Sequence, residues 1–452
     1  MALDSTRAMT TTKLFLFTIA ALSAILPASA ADLLETYRAA QSQDAVFAAA
    51  RAAQRAGLEK LPQGRSLLLP SVNLSANGTF NDSSNQYGGA NAAFFPSGAT
   101  RYNTHGYGVN LTQPLYRQQN RVIYTEAGLQ VAQTDTQFRA AELDLIVRVA
   151  QAYFDVLIAQ DSVQLAGAQK TAITEQLEQA KRNFEVGTST ITDTLEAQAR
   201  HDLVGSQEIA AQSNLEIKKR ALQQLTNTVP GNLRQLGQQF KLEALQPAEM
   251  EKWVEQAQQR NPQLAVAQLA AELAEKETAR NRGEHSPTLD LVANYSENYA
   301  SGGITGVSSD GRNTSVGVQF SMPLYQGGAI QSRVREAEAN RDRAKDELEN
   351  TRRNVTLQVH QAYLGVVNGI AQVKALQQAL KSSESLLEAS KLGQEVGVRT
   401  NLDVLNAQQQ LYSTRRDLYQ AEYSYLISQL KLKAAVGTLA EEDLAKVNQA
   451  LY

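Results

Sequence analysis

The sequence predicts an α+β membrane protein. In it, three chains give four strands each to a twelve-stranded β-barrel, which continues into a barrel of long coiled-coil helices. Three observations predict it: a secretory signal segment, a two-fold internal repeat, and very long helical stripes beside short runs of strict alternation. The predicted boundaries are signal 1–30, first repeat 31–240, second repeat 241–437 and a C-terminal tail 438–452.

The chain opens with a polar stretch, 1–13, that carries Arg7 and Lys13. An apolar run, 14–26, follows, then Pro27 and Ala28-Ser29-Ala30. Charge, apolar core and small residues in that order read as a secretory signal cleaved after Ala30. A membrane-spanning helix takes about 20 apolar residues, more than this run offers. Met9 is an alternative start that only shortens the charged region. Beyond the signal, no apolar run is long enough to span a bilayer as a helix.

Composition excludes several classes of function. With 0 cysteines there is no disulfide framework, thiolate metal site, thiol nucleophile or cysteine-borne lipid anchor. A net charge of −3, with Lys and Arg dispersed, offers no footprint for nucleic acid. His105, His201, His285 and His360 fall in unrelated elements and form no metal-ligand pair at helical spacing. No phosphate-binding loop or nucleophile elbow is present. The reading is a non-enzyme without cofactor or metal.

Self-similarity organises the mature chain. FEVGTSTITDTLEAQ (184–198) returns as QEVGVRTNLDVLNAQ (394–408), and VAQAYFDV (149–156) as VHQAYLGV (359–366), both 210 residues on. LTQPLY (111–116) returns as FSMPLY (320–325) after 209. LPSVNLSAN (69–77) and AQSQDAVFAAA (40–50) return after 217. The spacing changes between Pro70/Pro287 and Pro114/Pro323, so one loop of the first half should hold about eight extra residues.

Each half reads helix, two strands, long helix, short turn, helix. The helices are expected over 33–61, 117–186 and 190–228, then over 249–283, 327–395 and 400–436. Their apolar residues follow i, i+3, i+4, i+7 spacing. Leu145, Val149, Ala152 and Val156 are one set; Ile173, Leu177, Ala180 and Phe184 are another. Val355, Val359, Ala362, Val366, Ile370 and Val373 repeat the pattern. Rods of about 100 Å need a coiled-coil neighbour to cover such a stripe.

The strands alternate. Val72, Leu74, Ala76 and Phe80 share a face, with Asn73, Ser75 and Asn77 behind, and Tyr107, Val109 and Leu111 form the partner face. The second copy offers Leu289, Leu291, Ala293 and Tyr295, then Val316, Val318, Phe320 and Met322. Runs of about ten residues suit a transmembrane barrel, with loops at 81–104 and 297–313. Pro70, Pro287, Pro114 and Pro323 should mark strand–helix junctions, where a missing N–H costs least. Tyr116 and Tyr325 suit an aromatic girdle at the lipid boundary. A soluble sheet with one wet face alternates in the same way. The signal and the helix lengths favour the barrel.

Four strands cannot close a barrel, and an open edge in hydrocarbon strands backbone groups at several kcal/mol each. Two chains would supply eight strands, and an eight-strand barrel fills with its own side chains. Three chains supply twelve and leave a lumen. Both hairpins leave and return on one side, so every helix extends from the same side of the membrane.

The turns between long helices carry the most specific pattern. Gly187 and Gly397 sit at helix C-caps, where positive φ is needed. Thr190-x-x-Asp193 and Thr400-x-x-Asp403 match capping boxes for the next helix. Two such hairpins per chain would converge at the free end, where Thr192, Asp193, Arg399, Asp403 and Asn406 could line or latch an aperture. Capping alone accounts for Gly187, Gly397, Thr190 and Thr400; for Arg399 and Asp403 both roles stay open.

The paired VGT/VGV…D-x-L-x-A-Q turns, the PLY junctions and the two-fold repeat together resemble the TolC family of outer-membrane factors, over nearly the whole mature chain. The resemblance implies a homotrimeric exit duct in the bacterial outer membrane with a large periplasmic portion. It would serve a tripartite efflux pump, a type I secretion system, or both. Implied partners are a periplasmic adaptor protein, an inner-membrane RND or MFS pump or an ABC exporter, and outer-membrane lipid. It implies that Arg399 helps hold the entrance shut, with Thr192 and Asp193 as partners in the neighbouring hairpin, and that Asp403 and residue 406 face the narrowest part of the pore. Asn406 stands where an acidic residue is often found, so a second acidic ring is not expected. The segments 229–248 and 437–452 would contribute to a belt around the tunnel's waist. The competing reading is a trimeric surface adhesin or structural coiled-coil protein anchored by a β-barrel. There the strands would lie together at the C-terminus, whereas here the hairpins stand some 200 residues apart.

Overall fold

The structure, a computed structural model, describes residues 32–89, 97–237, 242–303 and 307–451. The expected signal segment lies outside the described residues. The first repeat runs α1 (Leu33–Gln43), α2 (Ala45–Leu58), α3 (Lys60–Ser66), β1 (Ser71–Asn85), β2 (Gly98–Tyr116), α4 (Gln118–Glu185) and α5 (Ile191–Thr226). The second runs α6 (Met250–Arg260), α7 (Pro262–Arg282), β3 (Thr288–Ala300), β4 (Ser309–Ser321), α8 (Ala329–Glu395) and α9 (Asn401–Val436), and α10 (Glu441–Gln449) follows.

The expected single helix at the start of each repeat is broken. Asp44 leaves the helical region at φ −66°, ψ 120°, and its carboxylate accepts from the Phe47 N–H at 2.9 Å, ending α1 and starting α2. Asn261, its repeat equivalent, has φ −66°, ψ 122° and accepts from Leu264 N–H at 3.0 Å, with Pro262 opening α7. An N-cap residue before a proline is a start signal legible in sequence. Both side chains also reach across the fold. Asp44 pairs with Arg148 of α4 at 2.8 Å, and Asn261 donates to the Ala435 carbonyl of α9 at 2.7 Å.

The long helices hold 68 and 67 residues, so each is a rod of about 100 Å. Their stripes face inward as expected: Leu145, Val149, Val156, Val359, Val366 and Val373 are fully buried. Phe184 is exposed in the single chain. Midway along, Tyr153, Phe154 and Tyr423 pack ring against ring. The waist segments dock on this layer. Tyr153 donates to the Arg234 carbonyl at 3.1 Å, and Tyr363, its repeat equivalent, to the Ala248 carbonyl at 2.5 Å. Leu236 bridges to Leu451, which ties the C-terminal end to the same belt. The tyrosines of both copies of the Gln-Ala-Tyr motif thus pin one segment, the link between α5 and α6.

The four strands form one antiparallel sheet in the order β1-β2-β3-β4. The β2–β3 pairing joins the two repeats. Register sorts the faces completely. Val72, Leu111, Ala293 and Val316 lie in one row, and Leu74, Val109, Tyr295 and Thr314 in the next row on that face. Behind them run Asn73, Asn110, Asn294 and Ser315, then Ser75, Gly108, Ser296 and Asn313. Among the described residues no helix covers the apolar face: Leu74 is 75 % exposed, Val316 71 % and Phe320 65 %. A soluble sheet buries such a face. Left bare, with a polar face behind, it is a lipid-facing wall.

Two expectations about the sheet are corrected. The strands are 15, 19, 13 and 13 residues long, not about ten, and they include parts of the expected loops 81–104 and 297–313. Cross-strand pairs extend the hairpins through polar residues: Arg101 meets Asp82 at 3.0 Å, and Arg312 meets Glu297 at 2.7 Å. The extra residues of the first half therefore go partly into longer strands. Pro114 stands inside β2, not at its end. The register shifts between Pro114 and Tyr116, and a bulge is where a sheet tolerates a residue without an N–H. Just past it, Arg117 grips Asp290 of β3 through two bonds, at 2.8 and 2.6 Å.

The Arg148 guanidinium holds the Asp44 carboxyl below its ordinary value of 3.8. A depressed folded pKa adds stability above the unfolded value and loses it as pH falls through the folded one. Thermal unfolding of Asp44→Ala at pH 7 should show a loss of about 2–4 kcal/mol. The gap to the parent should close below about pH 3.8.

Candidate functional site

The free end of the helical part is built by two hairpins, α4–α5 and α8–α9, of nearly identical geometry. Gly187 has φ 77° and Gly397 φ 81°, a left-handed conformation that side chains with a Cβ rarely adopt. Each helix closes with the paired bonds of a Schellman turn. Thr188 N–H donates to the Asn183 carbonyl at 2.8 Å and Gly187 N–H to the Phe184 carbonyl at 3.0 Å. In the other hairpin, Val398 N–H donates to Gly393 at 2.9 Å and Gly397 N–H to Gln394 at 3.1 Å.

Both expected capping boxes are present. Asp193 N–H donates to Thr190 Oγ1 at 3.3 Å, and Thr190 N–H returns to Asp193 Oδ2 at 2.9 Å. The Thr400–Asp403 pair does the same at 3.2 and 2.9 Å. Two matched boxes let the chain reverse twice within a few residues without stranding the first N–H groups of α5 or α9.

Arg399 sits just ahead of the second box. Its guanidinium lies 3.8 Å from Asp403, and both side chains are exposed. Its stem lies over Gly393, where an added Cβ would come within 2.6 Å of Arg399 Cγ. Among the described residues, no bond joins Arg399 to Thr192 or Asp193 of its own chain. Thr192 is exposed, and so is Asn406 on α9.

One residue of the site went unread in the sequence. Arg200, on α5, donates from Nη2 to Asn406 Oδ1 at 2.9 Å and from Nη1 to Gln409 Oε1. It lies beyond the repeated motif, and only the packing of α5 beside α9 brings it to Asn406.

The two hairpins differ inside. Ile173, Leu177, Ala180, Ala197 and Val204 zip α4 to α5 with apolar contacts, joined by Leu405 from α9. At three of the five equivalent sites in α8 and α9 stand Ser383, Ser390 and Thr414, all buried, with Ser383 and Thr414 hydroxyls 3.4 Å apart; the other two keep Leu387 and Ala407. Gln408 is buried too, and its Oε1 has no hydrogen-bond partner.

At the other end, Pro323 follows β4 by two residues, as expected of a junction. Tyr325 and Leu324 are almost fully exposed. Tyr116 ends β2, with the Arg121 guanidinium 5.3 Å from its ring centre. These residues sit where the lipid-facing wall passes into helix.

The sequence profile described as outer membrane efflux protein matches residues 36–228 and 253–438, one stretch in each repeat. The chain belongs to the outer membrane efflux protein family. Two relatives named outer membrane protein TolC align over nearly the whole chain. That of Vibrio cholerae is 34 % identical over 96 % of this chain and 98 % of its own. That of Escherichia coli is 33 % identical over 93 % and 85 %. The alkaline protease secretion protein AprF of Pseudomonas aeruginosa is 32 % identical over 93 % and 87 %. The Campylobacter jejuni CmeC outer membrane channel superposes with a TM-score of 0.77 at 19 % identity, over 93 % of this chain and 90 % of that one. As a member of this efflux family, the protein is an outer-membrane exit duct with a periplasmic portion.

The hydrogen bonds from Thr400 N–H and Oγ1 keep the Asp403 carboxyl below its ordinary 3.8. The box is therefore intact above that value and loosens only as pH falls through the lower folded pKa. Amide protection factors at 400–404 should stay level from neutral pH to about 5 and drop only below about 3.8. In Thr400→Ala the protection should already be lost at pH 7.

Proposed function

We propose that three copies close into one duct whose periplasmic entrance is formed by six helical hairpins and held shut at their tips. The observation that carries this is a bare apolar sheet face with two open edges at one end of a chain whose rods end, at the other, in two matched turns. Lipid covers the apolar face. The edge of β1 meets β4 of the next copy, so that no backbone group is left unpaired in hydrocarbon.

At the entrance, Arg399 bridges to Thr192 and Asp193 of an adjacent hairpin in the trimer, and Asp403 and Asn406 line the narrowest ring. The sequence carries no Gly-rich phosphate loop ahead of a Lys, and in this reading the energy for opening comes from a partner. That partner is a periplasmic adaptor with an inner-membrane RND or MFS pump or an ABC exporter. The cargo class follows the relatives' names: efflux of small molecules, secretion of proteins, or both. The long helices that stand between the two strand hairpins, α4 and α5 among them, argue against a barrel-anchored adhesin.

Single-channel conductance in planar bilayers tests the gate. The native trimer should conduct weakly, and an Arg399→Ala, Asp193→Ala double variant several-fold more. A large conductance indifferent to these substitutions would sink the gate.

A further inference from the structure

We propose that Arg200 is a clasp between the two hairpins of one chain, a positioning residue that holds α9 against α5 while the entrance is closed. This rests on the gated-duct reading above.

Arg200 lies ten residues past the Thr190 cap, so it sits about 15 Å above the tip. Its two acceptors, Asn406 and Gln409, are three apart on α9 and therefore share a face. These are the hydrogen bonds that join α5 to α9 among the described residues, and they leave from one guanidinium. A planar fork with two acceptors is specific in direction as well as attractive. Beneath it, Leu405 of α9 reaches the Ile173–Val204 cluster; farther from the tip, Tyr412 of α9 donates to the Ala168 carbonyl of α4 at 3.3 Å, and the main core packs α4 on α9. Near the tip, then, a small apolar contact plus one two-pronged polar bond makes a joint that can be released while the main core farther up stays packed.

The chemistry of the joint is particular. Both acceptors are neutral amides, and among the described residues no carboxylate pairs with Arg200. Asp403 is engaged with Thr400 and Arg399, and Asp202 with Gln198 and His201. The clasp is therefore a charge-to-dipole contact, less sensitive to salt than an ion pair. Asn406, which the duct reading places in the narrowest ring, is also the receptor for the clasp.

The test is conductance of purified trimers in planar bilayers, scaled to bulk conductivity across a range of salt. Arg200→Ala, and Arg200→Gln as a milder variant, should raise scaled conductance roughly two- to fivefold, as for loss of one partly exposed charged contact. Arg200→Lys combined with Asn406→Asp should restore the closed level at low salt, because a new ion pair replaces the lost bond. That rescue should fade as salt rises, whereas the native clasp should not. If both Arg200 variants conduct like the parent while the Arg399→Ala, Asp193→Ala pair opens, the clasp is wrong and the gate stands. If neither opens, the gated-duct reading fails and the clasp fails with it.

Discussion

Hydrocarbon offers no hydrogen bonds, and this constraint shapes the molecule from one end to the other. The sheet of one chain has two unpaired edges, on β1 and β4, and a bare apolar face. Each backbone group left unpaired in lipid would cost several kcal/mol. Closure by further copies removes both edges at once. It also places the polar rows headed by Asn73 and Ser75 on the inside, so the wall that satisfies lipid outside makes a wet lumen within. The helices inherit their arrangement from that ring. Each strand pair hands the chain to a rod on the same side, and Arg117 bound to Asp290 fixes the handover across the repeat boundary.

Duplication then does more than double the number of strands. Equivalent positions perform the same local task and reach different distant partners. Asp44 and Asn261 both cap a helix, yet one holds Arg148 and the other the end of α9. Tyr153 and Tyr363 both pin the belt, 14 residues apart along it. Asn227 and Gly437 both end a return helix in the left-handed region, at φ 55° and 81°. Only at Gly437 does a neighbouring backbone, the Arg260 carbonyl, come within 2.3 Å of where a Cβ would stand. The local code was kept, and the distant contacts diverged.

The tips show the same divergence. Identical turns close two hairpins whose interiors differ: the apolar Ile173, Ala180 and Val204 of α4–α5 are matched in α8–α9 by the hydroxyls of Ser383, Ser390 and Thr414. Burying Ile and Val contributes about 1.5–3 kcal/mol each, whereas a neutral hydroxyl pair contributes about 0.5–1.5. At those sites the α8–α9 hairpin thus gains less from burial than α4–α5 does.

Much of this was legible in the sequence, because the signals are local. Period and spacing mark the helices, alternation marks the strand faces, and Gly-x-x-Thr-x-x-Asp marks each turn with its caps. The bulge at Pro114 and the helix breaks at Asp44 and Asn261 were misread for a common reason. Each breaks the regular backbone at a single residue, while the apolar spacing on either side continues, so periodicity does not register the break. Strand length escaped because Asn, Ser and Gly read as loop until a partner strand supplies their ladder. By itself the sequence determined the elements, their repeat and which faces are apolar. The tertiary structure alone decided that β2 joins β3, that Arg200 meets Asn406 and that the described helices leave the sheet's apolar face bare, because each depends on how residues distant in the chain are arranged in space.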